Sequence, residues 1–180
     1  MSLVKTLPLL LSLSAALGSV SAWALSNDTE QPIRIQANEA QLDDKKGVAT
    51  YKGDVIITQG SMKITGNTVT ITRNAAGEID VVTSIGNLAY FEQLQKATDP
   101  VPVKAYAVTI QYHAPQNRIV LIDKAKVIND GNTTEGEKIV YDTVKQVANA
   151  GRANGSSVTA PRPRIDMVIQ PKKKTDAKAK

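Results

Sequence analysis

The sequence contains no cysteine, one histidine, one tryptophan and one phenylalanine, and each shortage excludes something. Without cysteine there are no disulfides, so the fold must rest on an ordinary apolar core and a continuous hydrogen-bond ladder. The scarcity of aromatic rings argues against a protein that stacks on sugar rings or nucleobases. If the chain binds a ligand, these absences favour an aliphatic one.

Catalytic and metal-binding motifs are also missing. His113 stands alone beside a predicted turn, whereas a metal site needs further ligands at suitable spacing. No nucleophile elbow, phosphate-binding loop or helical pair of metal-binding histidines is present. Asp43 and Asp44 point to opposite sides of an extended chain, and two lysines follow them, which is typical of a solvated loop. The sequence therefore predicts a protein that is not an enzyme and uses no cofactor or metal.

The one long apolar run lies at the amino terminus. Lys5 precedes an apolar stretch over residues 6–20 that is too short to span a bilayer comfortably, and Ala22-Trp23-Ala24 forms a small-residue cleavage site. We therefore predict that residues 1–24 are a cleaved signal peptide; a retained membrane anchor is the alternative. An exported chain without cysteine suits the bacterial periplasm better than a small secreted module.

Charge is distributed unevenly along the chain. Residues 161–180 carry a net charge of +5, while residues 25–160 carry a net charge of −1, so the basic pI of about 9.4 reflects the tail. We predict one near-neutral domain over residues 25–160 and a basic, disordered tail over residues 161–180. Alternatively, the tail samples anionic lipid or phosphate surfaces. Nucleic acid is not an expected partner, because no basic stripe is interleaved with aromatic residues.

The remaining chain is dominated by short alternating segments. Residues 53–71 alternate apolar and polar side chains, and Gln59-Gly60 and Gly66-Asn67 predict two tight turns between three strands. The sequences GDVII, GNLAY and KAKVI echo one another about 30 to 40 residues apart. Regular short strands without a helical period predict an all-β protein: a sandwich, barrel, jelly roll or solenoid of stacked strands.

Several predicted strands carry large aliphatic residues at both odd and even positions, that is, on both faces. Ile119 and Leu121 alternate with Val120 and Ile122, for example. One account is a sandwich core with some outward-facing aliphatics, which are common on sheets. The other is a pair of sheets splayed enough to hold an apolar ligand, with acyl chains the most natural guest. The residues alone leave both accounts open.

The segments QPIRIQANEAQLDD, GVATYKGDVIITQGSMKI and GNLAYFEQ, with the signal peptide and the closing basic tail, make a more specific pattern. Over residues 28–150 the chain resembles the OstA-like family of periplasmic lipopolysaccharide-transport proteins. The resemblance implies an open β-jellyroll of stacked antiparallel strands that binds lipid A between its sheets. It also implies head-to-tail association with further copies, and with jellyroll domains of inner-membrane and outer-membrane transport components, as a bridge between the two membranes.

The resemblance and the alternation together nominate a set of inward-facing, lipid-binding residues. The set is Ile33, Ile35, Val55, Ile57, Met62, Ile64, Val69, Ile71 and Phe91. Ile33 and Ile35 match residues of the family's N-terminal strand, and Phe91 matches an inward-facing aromatic residue of the family. The alternative function is a structural or assembly β-module whose interior is packed core without lipid cargo.

Overall fold

The computed structural model describes residues 28–96, 101–151 and 164–171. The predicted signal peptide lies outside these residues. The described chain is almost entirely β-structure, with two short 3-10 helices at Asp28–Glu30 and Ala114–Gln116. Its ten strands are β1 (Arg34–Gln36), β2 (Glu39–Asp43), β3 (Val48–Gln59), β4 (Met62–Arg73), β5 (Ile79–Gln93), β6 (Val103–His113), β7 (Arg118–Asn129), β8 (Asn132–Asp142), β9 (Val147–Gly151) and β10 (Asp166–Val168).

All ten strands belong to one antiparallel sheet. The long strands β3 to β8 pair in sequence order, so each lies beside its predecessor in the chain. At one end of the sheet both β1 and β2 pair with β3, and at the other both β9 and β10 pair with β8. The prediction of an all-β fold of stacked antiparallel strands is confirmed.

The register of this sheet is interrupted once near the middle of each pair of long strands. The interruptions lie at Lys52/Val55, Thr65/Thr68, Ile85/Ala89, Tyr106/Thr109 and Ile122/Ala125. Because neighbouring strands are interrupted side by side, the irregularities form a continuous line across the sheet, which we call the crease. A bulge bends its strand and increases the local twist, so the sheet folds about the crease.

The crease divides the long strands into two arms. Arm A comprises residues 48–52, 68–73, 79–85, 109–113, 118–122 and 138–142, and arm B comprises residues 55–59, 62–65, 89–93, 103–106, 125–129 and 132–136. The arms face each other, because the Phe91 ring of arm B lies 6.0 Å from the Tyr112 ring of arm A. The Gln95 side-chain amide, just beyond arm B, also donates a hydrogen bond to the Tyr141 hydroxyl of arm A.

The alternation of apolar residues changes phase where a strand crosses the crease. In β4 the buried side chains are Met62 and Ile64 in arm B but Val69 and Ile71 in arm A. Without the extra residue at the bulge, one of these pairs would point to solvent, since a one-residue slip reverses the faces of a strand. The phase change lets both arms present their apolar side inward.

The structure corrects the second predicted turn. Chain reversal at Gly60 is confirmed, and Gly60 has a φ of +58°. Gly66-Asn67, however, lies inside β4 at the crease and is not a turn. Gly66 instead allows β5 to pack closely against β4. A Cβ built at Gly66 would lie 2.2 Å from Ser84 Oγ and 2.9 Å from the Ile85 carbonyl oxygen.

Two other segments differ from the sequence-based expectations. The segment between Gln36 and Asp44, for which no strand was predicted, contains β2, which pairs with arm A of β3. The domain was predicted over residues 25–160, but β10 lies beyond it and pairs with Thr133–Glu135 of β8. The predicted tail over residues 161–180 therefore contributes a strand at Asp166–Val168. These strands are short and exposed, so they lack the buried alternation by which the longer strands were recognised.

The three similar sequence segments occupy equivalent positions in this fold. GDVII, GNLAY and KAKVI begin inside the crease and run into the arm B halves of β3, β5 and β7. Both Gly53 and Asp54, and both Asp123 and Lys124, have positive φ there. Each repeat therefore spans the length of two strands, and it begins where its first strand bends at the crease.

Candidate functional site: the apolar interior between the two arms

The inner faces of the two arms form one apolar cluster to which every long strand contributes. Seven of the nine nominated residues belong to it and are at most 5% exposed: Val55, Ile57, Met62, Ile64, Val69, Ile71 and Phe91. Ile35 is partly buried, packs against the same cluster and pairs with Ile57. Ile33 is 39% exposed, so it is not a core residue, although it lies at the rim of the interior. The structure therefore brings the nominated residues together; whether they bind lipid stays a prediction.

The sequence reasoning missed the half of the interior contributed by β6, β7 and β8. Its large members are Ile110, Tyr112, Ile119, Leu121, Ile139 and Tyr141. The signal was present as alternation in VTIQY, RIVLI and KIVYD. In β7 the neighbouring Val120 is also only 9% exposed. Both faces of this strand are therefore apolar, and alternation alone does not show which face points inward.

A cleft of about 390 Å³ opens between the arms along the edge opposite the crease. Arm B contributes Ile57 and Met62 to its wall, and arm A contributes Ile71, Val82 and Tyr112. The mouth is framed by strand ends and turns at Thr29, Ile33, Gln59, Glu78, Ile79, Ala114 and Pro115. An aliphatic chain entering here would reach the buried cluster directly.

Two tyrosine hydroxyls belong to this interior, and both stay neutral at physiological pH. Burial, together with the nearby charge of Asp28, raises the pKa of Tyr112. Burial also raises the pKa of Tyr141 to about 12. Both tyrosine hydroxyls within the apolar cluster are therefore uncharged at physiological pH.

A larger groove of about 630 Å³ lies on the outer face of arm B, against Arg164 and Asp166. Its wall includes an ion pair in which Lys126 Nζ lies 2.7 Å from Glu135 Oε1. The Tyr90 hydroxyl lies on the same outer face and donates to Glu92 at 2.5 Å. Because charged groups line this groove, it suits an aliphatic ligand less well than the smaller cleft between the arms does.

The described residues offer little for catalysis or metal binding. Among residues 28–96, 101–151 and 164–171, no three acidic, histidine or cysteine side chains gather to hold a metal ion. Burial and the neighbouring Arg118 lower the pKa of His113, so this lone imidazole is neutral at physiological pH. In the same residues, no helix has the length and apolarity needed to cross a membrane.

Comparison with known proteins gives consistent results. The family described as LptA/(LptD N-terminal domain) LPS transport protein matches residues 34–147. The chain is 65% identical over 174 residues to the lipopolysaccharide export system protein LptH of Pseudomonas aeruginosa, covering 97% of this chain and 99% of that protein. It is 32% identical over 155 residues to the lipopolysaccharide export system protein LptA of Escherichia coli K12, covering 86% of this chain and 83% of that protein.

A solved structure shares the fold. The crystal structure of LptH, described as the LptA-homologous periplasmic component of the conserved lipopolysaccharide transport device of Pseudomonas aeruginosa, aligns with a TM-score of 0.73 at 64% sequence identity. The alignment covers 80% of this chain and 99% of that chain. These relatives are named as transport or export proteins and not as enzymes.

Proposed function

Because the chain belongs to the LptA/LptD N-terminal-domain family of LPS transport proteins, we propose that it carries lipopolysaccharide across the periplasm with the acyl chains of lipid A between its two arms. The observation that carries this proposal is the uncharged apolar cluster continuous over both inner faces and reached through the cleft. A periplasmic location is supported by the predicted signal peptide and by the relative described as a periplasmic component.

The physical chemistry of the interior suits a carrier. Removing one methylene from water is worth about 0.8 kcal/mol, so an acyl chain of ten or so methylenes is held strongly by any dry apolar surface. Release into water would cost the same amount. Transfer to a neighbouring cleft of equal apolarity is nearly isoenergetic, so the lipid moves easily only between aligned carriers.

We infer that the arms part when cargo enters, because the cleft is small for a multi-acylated lipid. At about 390 Å³ it lies near the lower end of the range of ligand pockets, about 300–1,000 Å³. It therefore accommodates part of a multi-acylated lipid in the closed form. Opening about the crease would expose Phe91, Ile64 and Val69 to the remaining chains while leaving each arm's hydrogen-bond ladder intact.

We further propose that copies of the chain stack end to end and meet related jellyroll domains of inner-membrane and outer-membrane components. Within the described residues, β1 and β2 leave one outer edge of the sheet without a strand partner, and β9 and β10 leave the other. Exposed apolar side chains lie at both edges: Leu42 in β2, and Val147, Met167 and Val168 in β9 and β10. Strand addition at these edges aligns neighbouring clefts, and such a head-to-tail contact extends into a filament.

Two adjacent aromatic residues provide a matched test of the carrier function. Phe91 is fully buried on the inner face, whereas Tyr90 lies on the outer face with its ring 5.0 Å from that of Tyr106. A photocrosslinking phenylalanine analogue is placed at either position and irradiated with lipopolysaccharide. We expect the lipid adduct at position 91 and not at position 90. Equal labelling at both positions, or adducts only at position 90, would refute an internal cargo.

The alternative is a structural module without cargo. Native mass spectrometry of the purified protein with lipopolysaccharide separates the two functions, because only a carrier gains the mass of the lipid. Failure to bind under all conditions, with normal end-to-end assembly, would favour the structural module.

A further inference from the structure

The segment of residues 28–33 crosses the mouth of the cleft; we call it the N-terminal strap. Asp28 is its anchor. The carboxylate of Asp28 accepts hydrogen bonds from the Ser61 backbone N–H at 2.7 Å, the Ser61 hydroxyl at 2.6 Å and the Gln93 side-chain amide at 2.9 Å. The Ser61 hydroxyl also accepts a hydrogen bond from the Leu94 backbone N–H at 3.1 Å. The strap is thus fixed to the ends of β3, β4 and β5 by polar contacts around one carboxylate.

A second contact holds the backbone of the strap. The Gln59 side-chain amide donates to the carbonyl oxygens of Thr29 and Gln31, each at 3.1 Å. Gly60 leaves the space that the anchor occupies, since a Cβ there would lie 2.2 Å from Asp28 Oδ1. Thr29 and Ile33 then form part of the cleft's rim. The strap is therefore positioned over the mouth.

The strap contributes almost nothing to the core. Asp28 is half-buried and residues 29–33 are exposed, so detaching them uncovers little apolar surface of their own. β1 begins at Arg34 and pairs with β3, so a detached strap stays tethered at that end. Segments held by a few peripheral hydrogen bonds open locally without unfolding the protein.

We propose that the N-terminal strap is a displaceable lid that controls entry of an acyl chain into the cleft. The proposal rests on the carrier function, since it assigns a gate to the same site. In the closed state Asp28 holds Thr29 and Ile33 at the rim. When the Asp28 and Gln59 hydrogen bonds break, the strap swings away about β1 and the mouth widens toward Ile57, Met62 and Tyr112.

The test uses the absence of native cysteine. In the variant Asp28→Cys/Ser61→Cys, the two thiols replace side-chain groups that are in contact, so oxidation ties the strap to the β3–β4 turn and reduction leaves it without its anchor. Binding of the fluorescent fatty acid 11-(dansylamino)undecanoic acid is followed by stopped-flow fluorescence. We expect the reduced variant to bind the probe about tenfold faster than wild type, equivalent to about 1.4 kcal/mol, and the oxidised variant to bind it more slowly than wild type.

Glu30→Ala is the matched control, because Glu30 lies exposed in the same 3-10 helix. We expect it to bind the probe at the wild-type rate. Equal rates in the oxidised and reduced double variant would refute the lid, while the lipid adduct at position 91 would leave the carrier function standing. Loss of both probe binding and that adduct in every form would refute the carrier function itself.

Discussion

The close approach of β4 and β5 at the crease predicts a specific cost for Gly66→Ala. Gly66 lies in the middle of β4, opposite Val55 of β3. An added Cβ would lie 2.2 Å from Ser84 Oγ and 2.9 Å from the Ile85 carbonyl oxygen, and both distances are shorter than van der Waals contact. Ser84 is fully buried and its hydroxyl donates to the Thr65 carbonyl oxygen at 2.9 Å. The new methyl group must therefore displace a buried, hydrogen-bonded side chain and part of the β5 backbone.

The expected loss follows from these contacts. Forcing a methyl group into a packed interior costs about 1–3 kcal/mol, and loss of the Ser84 hydrogen bond costs about 1 kcal/mol. Replacing glycine recovers about 0.4–1 kcal/mol by restricting the unfolded chain. The net loss in the free energy of unfolding is about 2 kcal/mol, which corresponds to about 4–8 °C in melting temperature for a domain of this size.

Gly136→Ala provides the matched control. Gly136 lies in β8 beside the crease, but the nearest atom to its added Cβ, the Lys138 carbonyl oxygen, is 3.9 Å away. Urea unfolding followed by circular dichroism should show Gly66→Ala destabilised and Gly136→Ala close to wild type. Ser84→Ala should be less harmful in the Gly66→Ala background than alone, because it removes the nearest clashing atom. If both glycine variants unfold at the same urea concentration, the close packing at the crease is refuted.

Three further predictions concern the interior and the edges. Ile35→Asp should weaken lipopolysaccharide binding at least about tenfold, because it places an uncompensated carboxylate against the apolar cluster. Gln36→Asp should not weaken binding, because Gln36 is exposed. Native mass spectrometry measures lipid binding in both variants. Deleting residues 34–36 should shorten end-to-end assemblies in light scattering; unchanged assemblies would refute a β1 interface. The pKa of Tyr141 is raised from 10.0 to about 12 in the folded protein, so its contribution to the free energy of unfolding should be complete below pH 10 and be lost between pH 10 and 12. Unfolding measured across this pH range should show a shallower loss of stability in Tyr141→Phe than in wild type.

The all-β class and the inward residues of β3 and β4 were predictable because one buried face imposes alternation. Val55 and Ile57, and Met62 and Ile64, obey a simple period of two. The position of Phe91 came from the family resemblance. The direction of the interior in β7 was not predictable from alternation, since Val120 is nearly as buried as Ile119 and Leu121.

The crease was not predictable from local chemistry. Gly66-Asn67 carries the residues of a tight turn, yet here glycine is needed because Ser84 of the neighbouring strand approaches too closely for a side chain. Such a requirement depends on a strand about twenty positions away in the sequence, which no local pattern reveals. The strap escaped prediction for the same reason: Asp28 is an ordinary polar residue until Ser61 and Gln93 surround it.

The sequential pairing of β3 to β8 has a kinetic consequence. Each long strand pairs with the next along the chain, so most pairings close only a short loop, and the closure entropy for each hairpin is small. All-β folds with crossed connections are slow to form because distant strands must find each other first. In this chain, hairpins can add one at a time to a growing sheet, so we expect refolding to be faster than in Greek-key sandwiches of similar length.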